Sequence, residues 1–368
     1  MASNQLSVAF VLPSLAHGGA QRVFLDLVNY LSLQGFKLTL VVLDRDGELL
    51  SELTSNISVV YLDQGIERSC MKRIRQLFRL RHFIKRNNVS AIFSTITGMN
   101  ILTLLATVGL TGVRVVIREA SSLENISSRF QYTLAKFMYP RADSVICTSS
   151  YVRVQLETEF RIAANKTLEL PNPLDIERIR SSACKGLSRE DIELVSKGPL
   201  ILAVGRLIPA KGFDVLILAM KRVVLERPDV YLGIVGDGPE RSALMRLIKD
   251  NSLENHISLL GYRSNPYPLI KACNLFVLSS RWEGYVNVLM EAMAFQKPIV
   301  ATDCKSGPGK LLQECKGQTL VEVEDAGALS SAIIVRLGGQ SCVEYDQILS
   351  KHSLPEVARE YWSLVDDR

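Results

Sequence analysis

The chain of 368 residues is 47% hydrophobic, 22% charged and 7% aromatic, and its 23 glycines and 13 prolines recur with no period. That composition excludes collagen-like, low-complexity and wholly disordered chains, and the length suits two domains of ~100–200 residues, each with its own core. The formal net charge of +5 is carried by the first half: residues 1–175 hold 19 basic and 14 acidic side chains, whereas residues 176–368 hold 24 of each.

Short β-branched apolar runs mark expected strands at 8–12, 38–43, 58–62, 91–95, 113–117 and 144–147. Between them, 20–33, 74–84 and 130–138 show the 3.6-residue period of helices. The second half repeats the scheme, with strands expected at 200–204, 230–235, 257–260, 275–278, 298–301 and 320–323. Continuous apolar strands alternating with helices imply parallel sheets covered on both faces, hence two doubly wound domains of about six strands each. The seam is expected near Leu170-Pro171-Asn172-Pro173, followed by a polar stretch at 181–198. Ser353-Leu354-Pro355-Glu356 reads as a capped helix start. Ligands of doubly wound folds bind beyond the carboxyl ends of the strands, so two facing domains are expected to share one cleft.

The stretch 99–113 is only weakly polar but has 15 residues, including three Thr and two Gly. A membrane span needs ~20 apolar residues, so a buried helix is expected there. The start Met1-Ala2-Ser3-Asn4-Gln5 has no Lys or Arg, and Pro13 interrupts the first apolar run, which argues against a secretory signal. Seven cysteines (70, 147, 184, 273, 304, 315, 342) form no CxxC and read as reduced core residues. These features together suggest a cytoplasmic protein, soluble or at most peripheral.

Three loops carry candidate chemistry. In Pro13-Ser14-Leu15-Ala16-His17-Gly18-Gly19-Ala20-Gln21-Arg22, paired glycines at a helix start let backbone N–H groups approach a phosphate, although a tight packing turn explains them equally. In Val204-Gly205-Arg206-Leu207-Ile208-Pro209-Ala210-Lys211-Gly212-Phe213, two cations flanked by glycines follow a buried strand. Arg206 and Lys211 can stabilise a diphosphate leaving group without a metal. The third loop, from Arg281-Trp282-Glu283-Gly284-Tyr285-Val286 to Glu291-Ala292-Met293, puts Glu283 in a strand-to-helix turn and Glu291 on the following helix. On one helix the two would stand ~12 Å apart along the axis, too far for a hydrolase pair at ~5–9.5 Å. With Glu283 in the loop, both can address one ligand. The apolar neighbours of Glu291 (Leu289, Met290, Ala292, Met293) predict a partly buried carboxylate with a partner.

These elements, with Gly236-Asp237-Gly238-Pro239-Glu240, Pro298-Ile299-Val300-Ala301-Thr302-Asp303 and Ser306-Gly307-Pro308, resemble the retaining family 4 glycosyltransferases of GT-B architecture. The likeness spans nearly the whole chain and is dense from 200 to 309. It implies an N-terminal acceptor domain (1–172), a C-terminal donor domain (173–354) and a terminal helix, about 355–368, returning to the first domain. A UDP-sugar, UDP-HexNAc or UDP-hexose, is the implied donor. Arg206 and Lys211 are implied to bind the diphosphate, Glu283 the sugar hydroxyls, and Glu291 the ribose. Backbone amides of Gly284, Tyr285 and Val286 would lie near sugar and phosphate. Gly18 and Gly19 join this donor set, as does Arg263, placed where the base-binding loop falls. Many members carry a His after the strand equivalent to 113–117; here Arg118-Glu119-Ala120 stand instead, so Arg118 and Glu119 become the acceptor-side candidates.

No metal or other cofactor is expected. The internal DxD, Asp44-Arg45-Asp46, precedes Gly47 and reads as a solvated turn. No double-displacement nucleophile is evident, and the resemblance implies attack on the face from which the nucleotide departs. Residues 67–88 hold Arg68, Lys72, Arg73, Arg75, Arg79, Arg81, Lys85 and Arg86 against Glu67 alone, interleaved with apolar residues at helical spacing. Lys72, Arg73, Arg75 and Arg79 are the candidates for an anionic membrane surface or a lipid phosphate, with a solvated helix as the plain alternative. No aromatic platform or motif points to nucleic acid. A lipid-linked or polysaccharide acceptor, such as lipopolysaccharide, at the inner face of the cytoplasmic membrane is thus preferred. The alternatives are a sugar-nucleotide epimerase of the same architecture and a non-catalytic nucleotide-sugar-binding component of a polysaccharide assembly complex.

Overall fold

The structure, a computed structural model, describes every residue except 1–5, 17, 46, 64–69, 121, 127, 306, 314, 316–317, 340–342 and 367–368. His17, Asp46, Arg68 and Ser306 from the sequence reading lie outside the described residues. The chain forms two units, Met1–Pro173 with Leu354–Arg368, and Leu174–Ser353.

The first unit runs β1 (Val8–Leu12), α1 (Gly19–Leu33), β2 (Leu38–Val42), β3 (Ser58–Tyr61), α2 (Cys70–Arg86), β4 (Ala91–Thr95), α3 (Thr97–Thr107), β5 (Arg114–Glu119), α4 (Arg129–Met138), β6 (Ser144–Cys147), α5 (Ser150–Thr158) and β7 (Thr167–Glu169). Its strands form one parallel sheet in the order β3-β2-β1-β4-β5-β6-β7. Side chains of β1 alternate between two cores: Val8, Phe10 and Leu12 join one, Ala9 and Val11 the other. Burial of both sheet faces explains why each strand reads as an unbroken apolar run.

The second unit runs α6 (Ile176–Ala183), α7 (Arg189–Ser196), β8 (Leu200–Val204), α8 (Phe213–Glu226), β9 (Tyr231–Val235), α9 (Arg241–Asp250), β10 (Ile257–Gly261), α10 (Tyr267–Ala272), β11 (Leu275–Leu278), α11 (Asn287–Ala294), β12 (Ile299–Thr302), α12 (Pro308–Gln313), β13 (Gln318–Val321), α13 (Ala326–Gly338) and α14 (Asp346–Lys351). Its parallel sheet has the order β10-β9-β8-β11-β12-β13. The last helix, α15 (Leu354–Asp366), belongs to the first unit, where Val357, Ala358, Tyr361 and Leu364 complete the core around Phe10 and Phe93. Trp362 lies against Phe36 with ring centroids 3.8 Å apart.

The two-domain α/β class holds, and the differences are local. The first sheet gains a seventh, edge strand, β7. Strand β5 continues past Ile117 because Arg118 keeps its register with Thr95 and Ile146. The apolar stretch 99–113 is helical only to Thr107; Gly109 and Gly112 adopt positive φ (69° and 77°), where the chain turns into β5. The polar stretch 181–198 is largely helical. It holds the end of α6 and all of α7, whose N-cap Ser188 accepts from the Asp191 amide. No described helix is long and apolar enough to cross a membrane. Cys147, Cys273, Cys304 and Cys315 are buried free thiols, and Cys184 is an exposed one.

Candidate active site

In the second sheet the strand order reverses between β8 and β11, which pair in the middle of the sheet. Loops leaving neighbouring strands at such a reversal diverge to opposite faces and open a crevice at their carboxyl ends. Residues 205–212 follow β8 and residues 279–286 follow β11, so both loops singled out in the sequence of this unit border the same reversal.

Backbone contacts stitch the two loops together. The Arg281 amide donates to the Ala210 carbonyl at 2.8 Å, and the Ser279 hydroxyl to the Lys211 carbonyl at 2.9 Å. Gly212 has φ of 57°, and a Cβ there would stand 2.1 Å from the Ser279 carbonyl oxygen. Only glycine lets the loops close this far. The Gly236-Asp237-Gly238 loop packs from the other side: the Leu207 amide donates to the Asp237 carbonyl at 2.9 Å, and a Cβ on Gly236 would meet the Gly205 carbonyl oxygen at 1.9 Å.

On this base stands one ion pair. Lys211 Nζ donates to both carboxylate oxygens of Glu283, at 2.7 and 2.8 Å. Glu283 is only 8% exposed, and the buried Ser280 hydroxyl donates to its Oε1 at 2.5 Å. Thr302 in turn donates to the Ser280 carbonyl at 2.5 Å. Sequence reasoning gave Lys211 and Glu283 separate ligands and missed their pairing, because 72 residues separate them. It also missed Ser280 and Thr302; the signal was two serines where a buried strand ends. Cys304 lies close by, and burial, then the charge of Glu283, pushes its thiol up to about 12.

Arg281 is a second residue that sequence reasoning passed over. Its guanidinium donates to both carboxylate oxygens of Asp214 at 2.7 and 2.8 Å, to the Pro209 carbonyl at 2.7 Å and to Glu324. These bonds raise the Arg281 pKa; burial alone would raise that of Asp214, but the guanidinium lowers it. Arg281 thus ties the 209–214 segment to the 281–283 turn. Arg206 stands exposed on the same loop and makes no ion pair with a described carboxylate. Gly284, Tyr285 and the buried Val286 lead into α11, whose N-cap Val286 makes no side-chain capping bond and whose first turn holds no acid. The Leu289 and Met290 amides of that turn donate to the Val286 carbonyl at 3.0 and 3.3 Å. Glu291 lies half-buried on α11. Arg263 follows the edge strand β10, and its side chain reaches Glu190 and Asp191 of α7 at 3.4 and 3.5 Å.

The remaining expected residues lie in the first unit. Gly18 caps α1 without a side-chain bond, Gly19 begins the helix, and Arg22 pairs with Asp26 and Glu52 at 3.1 and 2.6 Å. Arg118 and Glu119 depart from the acceptor-side expectation. Arg118 is 1% exposed and donates to the Thr95 hydroxyl at 3.1 Å and to the Asn172 side chain. Glu119 is 3% exposed and accepts from the Tyr139 hydroxyl at 2.6 Å and from Thr97 at 3.1 Å. Burial and then Glu119 raise the Tyr139 pKa well above its ordinary value. A strand two residues longer than its apolar run carries both side chains into the core.

Helix α2 also departs from a uniformly basic outer face. Lys72 pairs with Asp44 at 2.8 Å and Asp63 at 3.3 Å, and Arg79 donates to the Leu62 carbonyl at 2.6 Å. Arg81 caps the end of α3 through the Ala106 and Val108 carbonyls. Arg73 is exposed and bonds Gln76 on its own helix at 3.4 Å, and Arg75 is exposed beside it. The acids that meet Lys72 come from turns after β2 and β3, invisible to a count along the helix. Among the described residues no cluster of three His, Cys, Asp or Glu is placed to hold a metal ion.

Two family models match consecutive parts of the chain, "Glycosyltransferase Family 4" at residues 17–178 and "Glycosyl transferases group 1" at residues 185–345. A Campylobacter jejuni protein, N-acetylgalactosamine-N,N'-diacetylbacillosaminyl-diphospho-undecaprenol 4-alpha-N-acetylgalactosaminyltransferase, is 30% identical over 327 residues, 86% of each chain. An uncharacterized glycosyltransferase of Methanocaldococcus jannaschii is 33% identical over 189 residues, 51% of this chain and 47% of that one. Among solved structures, an Anabaena protein in complex with UDP and glucose superposes with a TM-score of 0.80 at 19% identity, covering 99% of this chain and 100% of the other.

Proposed function

Because the chain belongs to the family 4 glycosyltransferases of GT-B architecture, we propose that it moves a sugar from a UDP-sugar, with retention and without a metal, to a lipid-linked or polysaccharide acceptor. The observation that carries this reading is Lys211, held by Glu283 beside the exposed Arg206 at the strand reversal of the second unit. An ammonium group has three donors. Two are used on Glu283, and the third is left for a phosphate oxygen of the donor. Arg206 adds charge where the departing diphosphate becomes more negative. Glu283 is fixed by Lys211 and Ser280 and keeps lone pairs for sugar hydroxyls. Transfer then rests on leaving-group stabilisation and positioning.

UDP is preferred because the Anabaena relative in fold was solved with it. The named acceptor of the Campylobacter relative, a diphospho-undecaprenol glycan, supports a lipid-linked acceptor here. The cations of α2 that remain exposed, Arg73 and Arg75 among them, favour docking on the anionic inner face of a membrane. The test is titration calorimetry with UDP on wild type, Arg206→Ala and Lys211→Ala, beside transfer assays with lipid extract in EDTA. Each substitution is expected to weaken UDP about 10- to 100-fold, as for a lost charge-assisted bond. Transfer is expected to survive EDTA, with the product anomer matching the donor by NMR. Unchanged UDP binding in both variants overturns the donor site. An inverted product, or inactivation reversed by Mn²⁺, overturns the mechanism.

A further inference from the structure

Two phenylalanines of α4 stand in water. Phe130 is 76% and Phe137 74% exposed. Seven residues apart, they lie on one stripe of the helix, ~10 Å from each other along its axis. The opposite side of α4 is satisfied: Ala135 and Met138 enter the core, with Leu134 and Tyr132 packed against it. The exposed rings are therefore surplus to folding.

The two outer helices of this layer expose apolar side chains and cations together. Helices α2, α3 and α4 bury residues in the same core on one face of the first sheet, Leu80 and Ile84 from α2 and Leu102 from α3. On α2 the outward Ile74 and Phe78 are 52% and 65% exposed, one turn apart. Neither α2 nor α4 carries a carboxylate. Arg73, Lys85 and Arg86 of α2 and Arg129 and Lys136 of α4 are exposed and make no ion pair with a described carboxylate. The nearest acids are engaged elsewhere, Glu159 accepting from Tyr132 of α4 at 2.6 Å and Glu124 from Tyr151 at 2.7 Å, so large apolar side chains flanked by these cations match the two layers of an anionic lipid surface, headgroup phosphates outside and acyl carbons beneath.

We propose that Phe130 and Phe137 of α4 insert into the acyl boundary of an anionic membrane, with Ile74 and Phe78 of α2, across α3 in the same helix layer, as a second apolar contact. The inference rests on the membrane-side reading above and adds to it a second, salt-resistant component: cations alone give binding that salt abolishes, whereas buried rings do not.

The test uses the full chain with vesicles of phosphatidylglycerol and phosphatidylcholine in equal parts. Wild type is expected to co-sediment at 0.1 M salt and to keep a bound fraction at 0.5 M. The double substitution Phe130→Ser with Phe137→Ser is expected to lower partitioning about tenfold or more and to remove the salt-resistant fraction, with UDP binding unchanged. Phe137→Trp is expected to shift its emission to the blue on anionic vesicles and to be quenched by brominated acyl chains. Wild-type binding lost completely at 0.5 M salt overturns insertion while leaving the charge-based docking of α2 intact. Equal partitioning of wild type and the double variant overturns it too. Self-association of wild type, abolished by the two serines without any vesicle binding, assigns the rings to a second copy and overturns it as well.

Discussion

Removing either partner of the Lys211–Glu283 pair is the most discriminating perturbation of the candidate site. The Lys211 side chain is 19% exposed and that of Glu283 8%, with two contacts shorter than 3 Å between them. Losing one partner of such a pair leaves a buried charge and costs about 3–5 kcal/mol. Lys211→Met is therefore expected to destabilise the second unit by ~3 kcal/mol, which for a unit of this size lowers its melting temperature by roughly 6–12 °C. Glu283→Gln costs less, ~1 kcal/mol, because the amide oxygen still accepts from Ser280 and Lys211. The double variant is expected to be more stable than the sum of the singles by ~1.5 kcal/mol or more. Calorimetric scans read this, and the transition belonging to the second unit is the one that UDP raises. In titrations with UDP, Lys211→Met loses about 10- to 100-fold affinity, the value of one charge-assisted bond to phosphate. Glu283→Gln is expected to bind UDP within about threefold of wild type and to lose turnover instead. Additive stability effects, within ~0.5 kcal/mol, would refute a buried pair. Equal loss of UDP affinity in both variants would refute the division of roles.

Three further outcomes are expected. Arg281→Lys, which cannot span Asp214, Glu324 and the Pro209 carbonyl together, raises the donor KM several-fold more than it lowers kcat; an unchanged KM counts against the tether. Arg118→Ala removes the guanidinium bonds to Thr95 and Asn172 from the buried first unit and costs about 2–4 kcal/mol by urea unfolding, with UDP affinity unaffected; a smaller loss means the guanidinium is not committed to the core. Cys147, Cys273 and Cys304 all have thiols pushed up to about 12, chiefly by burial. Their folded pKa values exceed the ordinary 9.0, so the stability they contribute is complete below about pH 9 and falls as pH rises towards 12. Exposed Cys184 is accordingly expected to take up thiol reagent at pH 8 before these three, and their earlier labelling would contradict this.

The parallel strands were readable because both faces of each sheet are buried, so every strand is a continuous apolar run and needs no partner to be recognised. Strand β5 resisted at its end: Arg118 and Glu119 look like loop residues until the bonds to Thr95 and Tyr139 are seen. Helix α7 was hidden because its exposed face is nearly all charged, and only Leu194 and the N-terminal cap mark it. The loops of the candidate site carried their glycines openly. What they did not carry was mutual arrangement. Lys211 with Glu283, Arg281 with Asp214, and Lys72 with Asp44 join residues distant in sequence, and each changes what a cation is available to do.

The placement of α15 has a consequence for the order in which the chain matures. Residues 354–366 cover Phe93 through Tyr361, so the first unit lacks part of one core face until the last helix has been synthesised. The second unit, by contrast, is contiguous from Leu174 to Ser353, and the two ends of that segment meet where the Leu174 amide donates to the His352 carbonyl at 2.8 Å. During translation the later half is thus complete before the earlier one, the reverse of the usual N-to-C sequence. A nascent chain stalled before α15 would hold out Phe10, Phe93 and the face of α1 to any chaperone within reach, and a tag or truncation at its C-terminus would act on the N-terminal half.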